Sequence, residues 1–291
     1  MRVATSQLYE RSASSMTSLT AKADKLQTQI STNTKIATAS DDPNGWVQLQ
    51  GLGRADADSK AWSANVKLAQ GVLVQADTTL GDAGTQLQKV QELALQASNG
   101  TMSASDRAAA GASVQAAMDE LLSLANTTDV RGQPLFGGAD GATPYVKNSD
   151  GSVSYAGSGD ASPIPIGGKD SVVANVSGDK VFGDMFATLK ALADALQSGN
   201  AVPEGTLDQL QTASDSVSAA QASAGARATR VDLVADRLTT QQADRDETRV
   251  ALNEPDIAAT VTELQKTLTI LQATQASFSK LSSMSVFDYL R

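Results

Sequence analysis

Residues 62–97 read WSANVKLAQGVLVQADTTLGDAGTQLQKVQELALQA. Trp62, Val66, Ala69, Leu73, Ala76, Leu80, Ala83, Leu87, Val90, Ala94 and Ala97 step alternately by four and three without a slip. That is an a/d heptad seam, and its length predicts a continuous helix of about 50 Å at ~1.5 Å per residue. Large and small residues alternate along it, which suits close approach by another helix. Asn99-Gly100 marks its end. Ser103, followed three residues later by Asp106, predicts the start of a second helix with the stripe Ala110, Val114, Ala117, Leu121 and Leu124.

Helical spacing returns further on. Phe182, Met185 or Phe186, Leu189, Leu192 and Leu196 form one stripe, which stops at Gly199–Pro203. Leu210, Val217, Ala224, Val231 and Leu238 fall at strict sevens in a helix expected from about Leu207 to Asn253. Pro255 disfavours helical geometry at Glu254 and ends it. Residues 132–180 break this pattern. They hold four of the seven prolines, many glycines, and the β-prone pieces 153–155 and 172–176, with turn signals at 148–151 and 157–160.

Each end of the chain carries its own seam. Met16, Leu19, Ala23, Leu26 and Ile30 step three and four before the turn Ser40-Asp41-Asp42-Pro43-Asn44-Gly45. Ile257, Val261, Leu264, Leu268, Leu271, Gln275 and Phe278 do the same at the other end. One amphipathic helix cannot bury its seam alone, so the two must pair with each other, with another subunit, or with both. Periodicity leaves that choice open. The expected fold is mainly α: terminal N/C coiled-coil helices, a long-helix bundle body and a small β-rich inserted domain. The expected parts are 1–45 with 254–291, 46–131 with 181–253, and 132–180.

Composition removes most chemistry. The 291 residues include no cysteine and no histidine, which excludes disulfides, thiol nucleophiles, imidazole bases and His- or Cys-ligated metals. Lys and Arg total 23 against 32 Asp and Glu, a net charge of −9 that argues against a nucleic-acid partner. No long apolar run suggests a membrane span. Asp41 and Asp42 read as a helix-terminating turn with a cap for the next helix rather than a carboxylate dyad or calcium pair. Asp244, Asp246 and Glu247 beside Arg245 and Arg249 read as a solvated face with ion pairs along one helix. Gly137-Gly138 and Gly167-Gly168 lie in no phosphate-binding frame and read as turns. No catalytic, cofactor or metal site is expected.

Several stretches, in order, resemble the bacterial flagellin family. Ile30-Ser31-Thr32-Asn33-Thr34-Lys35-Ile36 with Ala39-Ser40-Asp41-Asp42-Pro43-Asn44-Gly45 is similar to its N-terminal signature. Residues 92–101, and Leu124–Thr127 leading to Gly132-Gln133-Pro134-Leu135-Phe136-Gly137-Gly138, resemble its helical body and the exit from it. Gly225-Ala226-Arg227 and Asp256–Gln275 are similar to its C-terminal signature. The chain departs from the pattern at Asn33-Thr34, where a glycine is usual before the basic residue. Pro43, the Leu135–Gly138 exit and the end Ser285-Val286-Phe287-Asp288-Tyr289-Leu290 resemble members that join hook to filament more than filament subunits.

The resemblance implies a structural, non-enzymatic protein of the bacterial flagellum, outside the cell, exported by the flagellar type III apparatus without a cleaved signal peptide. Its implied partners are further copies of itself, flagellar hook-associated protein 1, flagellin and an export chaperone, with no nucleic acid, membrane or cofactor. The implied assembly interface comprises Met16, Leu19, Ala23, Leu26, Ile30, Ile257, Val261, Leu264, Leu268, Leu271, Phe278, Leu281, Phe287 and Leu290. A filament subunit is the nearer alternative, and a coiled-coil signalling or secretion-translocator protein the more distant one.

Overall fold

The computed structural model describes residues 2–139, 143–159 and 162–283. Among these described residues, seven helices and four short strands follow in the order α1 (Arg2–Thr32), α2 (Pro43–Ser98), α3 (Ala104–Ala125), β1 (Tyr145–Lys147), β2 (Val153–Tyr155), β3 (Ile164–Gly167), β4 (Asp170–Val172), α4 (Gly178–Phe182), α5 (Met185–Gln197), α6 (Thr206–Asn253) and α7 (Ile257–Ser283). The chain divides into two compact units, residues 1–57 with 241–291 and residues 58–240. The division falls inside α2 and α6, not at the turns beside Pro43 and Pro255.

In the 58–240 unit the α2 seam is buried as its spacing predicts. Val66 through Ala97 are all shielded from solvent, with Trp62 partly covered. Val72 joins them, widening the stripe beyond a strict a/d line. On α6 the five residues at strict sevens are buried, with Ala213 and Val234 beside them. The two helices run antiparallel: Gln70 Nε2 donates to Asp232 Oδ1 at 2.7 Å, and Gly81 faces Gln221. On α3 the stripe rotates partway. Ala110, Val114 and Leu121 are buried as expected, but Met118 and Ala125 take the inner places in preference to Ala117 and Leu124. α3 packs along α5, and Gly111 makes that approach possible: a Cβ there would stand 2.7 Å from the Gln197 nitrogen.

Helix ends follow local chemistry. Ser103 Oγ accepts from the Asp106 amide at 3.1 Å, capping α3. α2 stops at Ser98 beside Asn99-Gly100, although Gly100 does not adopt the left-handed conformation. α2 also starts far earlier than its seam. Asp42 Oδ1 accepts from the amides of Asn44 at 3.1 Å and Gly45 at 3.0 Å, and Pro43 opens the helix. At 56 residues α2 is about 84 Å long.

The strands form two separate antiparallel hairpins, β1 with β2 and β3 with β4. The signal at 148–151 is the first hairpin's turn, with Gly151 at φ 79°; Gly167 ends β3, and Gly168 with Lys169 makes the second turn. The stretch 172–176 contributes only its first residue to a strand. Aromatic rings fasten this region to the bundle. Tyr145 stacks within 5.0 Å of Phe186, 5.1 Å of Tyr155 and 5.8 Å of Phe182, and Phe182 meets Phe136 edge-on at 5.2 Å. Offset and edge-on ring pairs add roughly 0.5–1.5 kcal/mol each beyond area burial.

The two tyrosines in this cluster differ in their hydroxyls. Tyr155 Oη donates to the Phe136 carbonyl at 3.1 Å and lies 3.1 Å from Ser177 Oγ. Tyr145 Oη is buried without a hydrogen-bond partner, and burial pushes its pKa above the usual tyrosine value. A buried unpaired hydroxyl costs stability, whereas a paired one contributes about 1 kcal/mol. Tyr145→Phe is therefore expected to leave stability unchanged or raise it, while Tyr155→Phe lowers it by about 1 kcal/mol. Urea titrations followed by circular dichroism check both; a larger loss for Tyr145→Phe contradicts the assignment.

Candidate assembly interface

The unit formed by residues 1–57 and 241–291 holds the terminal helices. α1 packs along α7. Tyr9 meets Phe278 edge-on at 5.5 Å, Lys22 Nζ contacts Glu263 Oε1 at 2.5 Å, and Asn33 Nδ2 donates to Glu254 Oε1 at 3.4 Å. Rising numbers on α1 meet falling numbers on α7, so the pair is antiparallel.

The α1 seam lies where its spacing puts it. Ala23 is buried, and Met16, Leu19, Leu26 and Ile30 are partly covered, with Tyr9 and Ser12 extending the same line. On α7 the inner line sits one residue from the expected one at alternate positions. Leu264, Leu271 and Phe278 face inward, but between them come Thr267, which is buried, and Thr274. Leu268 and Gln275 therefore turn outward, together with Ile257 and Ile270. Val261 is half-buried. Leu281 lies on α7 with its side chain outside the described residues, and Phe287 and Leu290 fall outside them altogether, as do Val286 and Tyr289. Threonines in the line, with isoleucine and leucine outside it, leave apolar surface on α7 that α1 does not use.

Two connections join these helices to α2 and α6. Asn33 takes a left-handed backbone with φ 50°, the single non-glycine residue with positive φ among those described. It sits one position past the end of α1, where a residue without Cβ strain ends a helix most easily. Asparagine is the next most tolerant residue, which accounts for its standing where the family usually has glycine. Asp41 organises the loop: its Oδ2 accepts from the amides of Ala37 at 3.0 Å and Thr38 at 2.9 Å, and its Oδ1 meets Lys25 Nζ at 2.6 Å. Lys25, with these amides, holds the Asp41 carboxyl well below the usual range. Ile36 is buried, and its Cδ1 lies where a side chain at Gly45 would stand, 2.5 Å from an added Cβ.

The acidic and basic residues near 245 are not simply a solvated face. Arg249 does pair with Asp246 on the same helix at 2.5 Å. However, Arg245 Nε donates to Asp56 Oδ1 on α2 at 2.7 Å, and Arg249 Nη2 donates to Asp56 Oδ2. Asp56 is thus gripped by two guanidinium groups from α6. Nothing in its local sequence marks it, because its partners lie 189 and 193 residues away. Burial alone would raise the Asp56 pKa; the hydrogen bonds from Arg245 and Arg249 outweigh it and bring the carboxyl below its ordinary value.

Among the described residues, no cluster of three or more acidic side chains is placed to hold a metal, and no helix is long and apolar enough to cross a membrane. Fold and site together define a mainly helical protein in which α1 and α7 pair with each other. Residues 3–140 match the bacterial flagellin N-terminal helical region and residues 207–290 the bacterial flagellin C-terminal helical region, and the chain belongs to the bacterial flagellin family. It is 29% identical over 198 residues, 68% of its length, to flagellar hook-associated protein 3 of Escherichia coli. Over 138 residues, 47% of its length, it is 33% identical to the protein of that name in Salmonella typhimurium. These matches span 62% and 44% of the two relatives, less than two thirds of either. The fold is shared with the flagellar junction protein FlgL of Legionella pneumophila, at 16% identity and a TM-score of 0.58, covering 75% of this chain and all of that one.

The Asp56 clamp makes a pH-dependent contribution with a definite sign. A carboxyl whose folded pKa is depressed stabilises fully above its unfolded value, about 4, and loses that contribution as pH falls through the folded value. Wild type should therefore exceed Asp56→Asn in stability by a constant margin from pH 5 to 8. That margin should shrink steadily below pH 4. Thermal unfolding across pH 2–8 checks this; a margin still constant at pH 2 contradicts the clamp.

Proposed function

We propose that this protein joins the hook of the bacterial flagellum to its filament. Copies of the chain form a short axial layer, with hook-associated protein 1 on one side and flagellin on the other. The observation that carries this reading is the pairing of α1 with α7, bearing the family's two terminal regions, with apolar residues left on the outward face of α7. The names borne by the similar Escherichia, Salmonella and Legionella proteins support the junction role over that of a filament subunit.

In this reading the terminal helices line the axis and the α2–α6 bundle makes lateral contacts around the layer. Residues 132–180 form an outer part. Subunits repeated along an axis need heterologous contacts, in which one face of a subunit meets a different face of the next. Ile257, Leu268 and Ile270 supply the apolar part of such a face. The inner residues Met16, Leu19, Ala23, Leu26, Ile30, Leu264, Leu271 and Phe278 hold the pair together, with Val261 at its edge. Leu281, Phe287 and Leu290, further along the chain, complete the proposed interface. Export through the flagellar type III apparatus, assisted by a chaperone, delivers the chain to its extracellular place. A chain without cysteine cannot be trapped by disulfides while passing unfolded.

The outer face is separable from the inner one by mutation. The double variant Leu268→Asp with Ile270→Asp should unfold within about 1 kcal/mol of wild type, because both positions are exposed. Cells carrying it should show hooks without filaments by electron microscopy and release flagellin into the medium. Normal filaments would overturn the proposed interface. Unlimited polymerisation of the purified chain by itself would instead favour a filament subunit.

A further inference from the structure

Beyond the assembly role, and independent of it, we propose that Asn253 is a clasp that sets the register of α1 against α7. Asn253 is the last residue of α6, four positions before α7. Its backbone carbonyl accepts from the Lys35 amide at 2.6 Å, and its side-chain Oδ1 accepts from the adjacent Ile36 amide at 2.7 Å. One residue thus captures two consecutive amides that lie just past the end of α1. Gln29 Nε2 donates to the Lys35 carbonyl at 2.9 Å, tying the last turn of α1 to the same point. Ile36 is 3% exposed and Ala23 6%; among the described residues of this unit they are the buried hydrophobic side chains apart from Pro255. The clasp thus holds a residue whose side chain is itself buried.

The helix pair itself specifies its register poorly. Its inner line is half-buried and interrupted by Thr267 and Thr274. Sliding α7 by one heptad, about 10 Å, would exchange each contact for a near equivalent. Lys22 would leave Glu263 and meet Asp256; Tyr9 would leave Phe278 and meet Leu271. An exposed ion pair contributes too little to separate the two states, and Asp256 would replace it in kind. Asp246, seven residues before Asn253, offers a side-chain acceptor but lies inside α6, where its backbone carbonyl serves the helix; only Asn253, at the helix end, can take both amides. A polar group of fixed geometry selecting one register among similar apolar ones is a device well suited to coiled coils.

The absence of native cysteine makes the test clean. Ser15 and Gln272 are exposed and stand opposite each other in the observed pairing. Nitroxide labels on Ser15→Cys and Gln272→Cys, read by pulsed electron paramagnetic resonance on the full chain, report the register directly. The otherwise native chain should give one narrow distance population. Asn253→Ala should add a second population, displaced in register by one heptad, with helix content by circular dichroism unchanged. Asn253→Asp, which keeps an oxygen acceptor for the Ile36 amide, should restore the single population. A single unshifted population in Asn253→Ala would overturn the proposal, as would several populations in the otherwise native chain. Lost helicity in Asn253→Ala would assign Asn253 to holding the fold rather than the register, and failure of Asn253→Asp to restore would remove the acceptor's role; either result also overturns it.

Discussion

The buried line of alanine, leucine and valine on α2 is the constraint on which the 58–240 unit depends. A helix of 56 residues has no interior of its own, and only a partner of similar length can dry such a stripe. α6 supplies that partner with small and medium residues at strict sevens. Leucines alternate with alanines along the stripe, and it is the larger side chains, not closely approaching backbones, that bridge from α2 to α6. Removing one leucine methyl group from such a seam is felt because close-packed neighbours cannot collapse around the gap.

The same economy explains where the aromatic residues are. Bulky rings in the α2–α6 seam would push the helices apart, and none occurs between Trp62 and Phe136 or between Phe186 and Phe278. They gather where geometry is irregular. Phe136, Tyr145, Tyr155, Phe182 and Phe186 fill the junction between two short hairpins and the start of α5. A two-stranded hairpin is marginal alone, and here each draws its stability from what it rests on. For β3 and β4 that support is polar as well: Asn65 Nδ2 donates to the Pro165 carbonyl at 2.8 Å, and Arg237 reaches Asp170 at 2.8 Å.

Much of this was legible in the sequence, for a physical reason. Strict heptads repeated five times, about ten turns, admit one inner face, so the α2 and α6 stripes, the α1 seam and the stop at Pro255 followed directly. Shorter or mixed stripes do not fix rotation. On α3 the choice of Met118 and Ala125 over Ala117 and Leu124 comes from the closeness of α5 at Gly111, which no local pattern reports. On α7 an apolar residue and a threonine compete at adjacent positions, and hydrophobicity alone picks Leu268 over Thr267. Asp56, Asn33 and Asn253 escaped for a different reason. Two have partners 189 to 217 residues away in the sequence, and the third acts through a backbone angle rather than a side-chain type.

The rotation of α7 changes how the terminal pair should be understood. Had Leu268 faced α1, the pair would have been a better coiled coil and a poorer docking surface. With threonines inside and isoleucine and leucine outside, the pair is held loosely by its own seam and keeps apolar surface for something else. Within the 58–240 unit the long stripes are satisfied internally; within the terminal unit they are not. A marginal seam would be a liability in a free-standing protein, because register and partner choice would both drift. It becomes workable when a polar clasp fixes the register at one end and further subunits cover the outer face. Those two requirements fall on different residues, Asn253 and Leu268, and so can be met or broken separately.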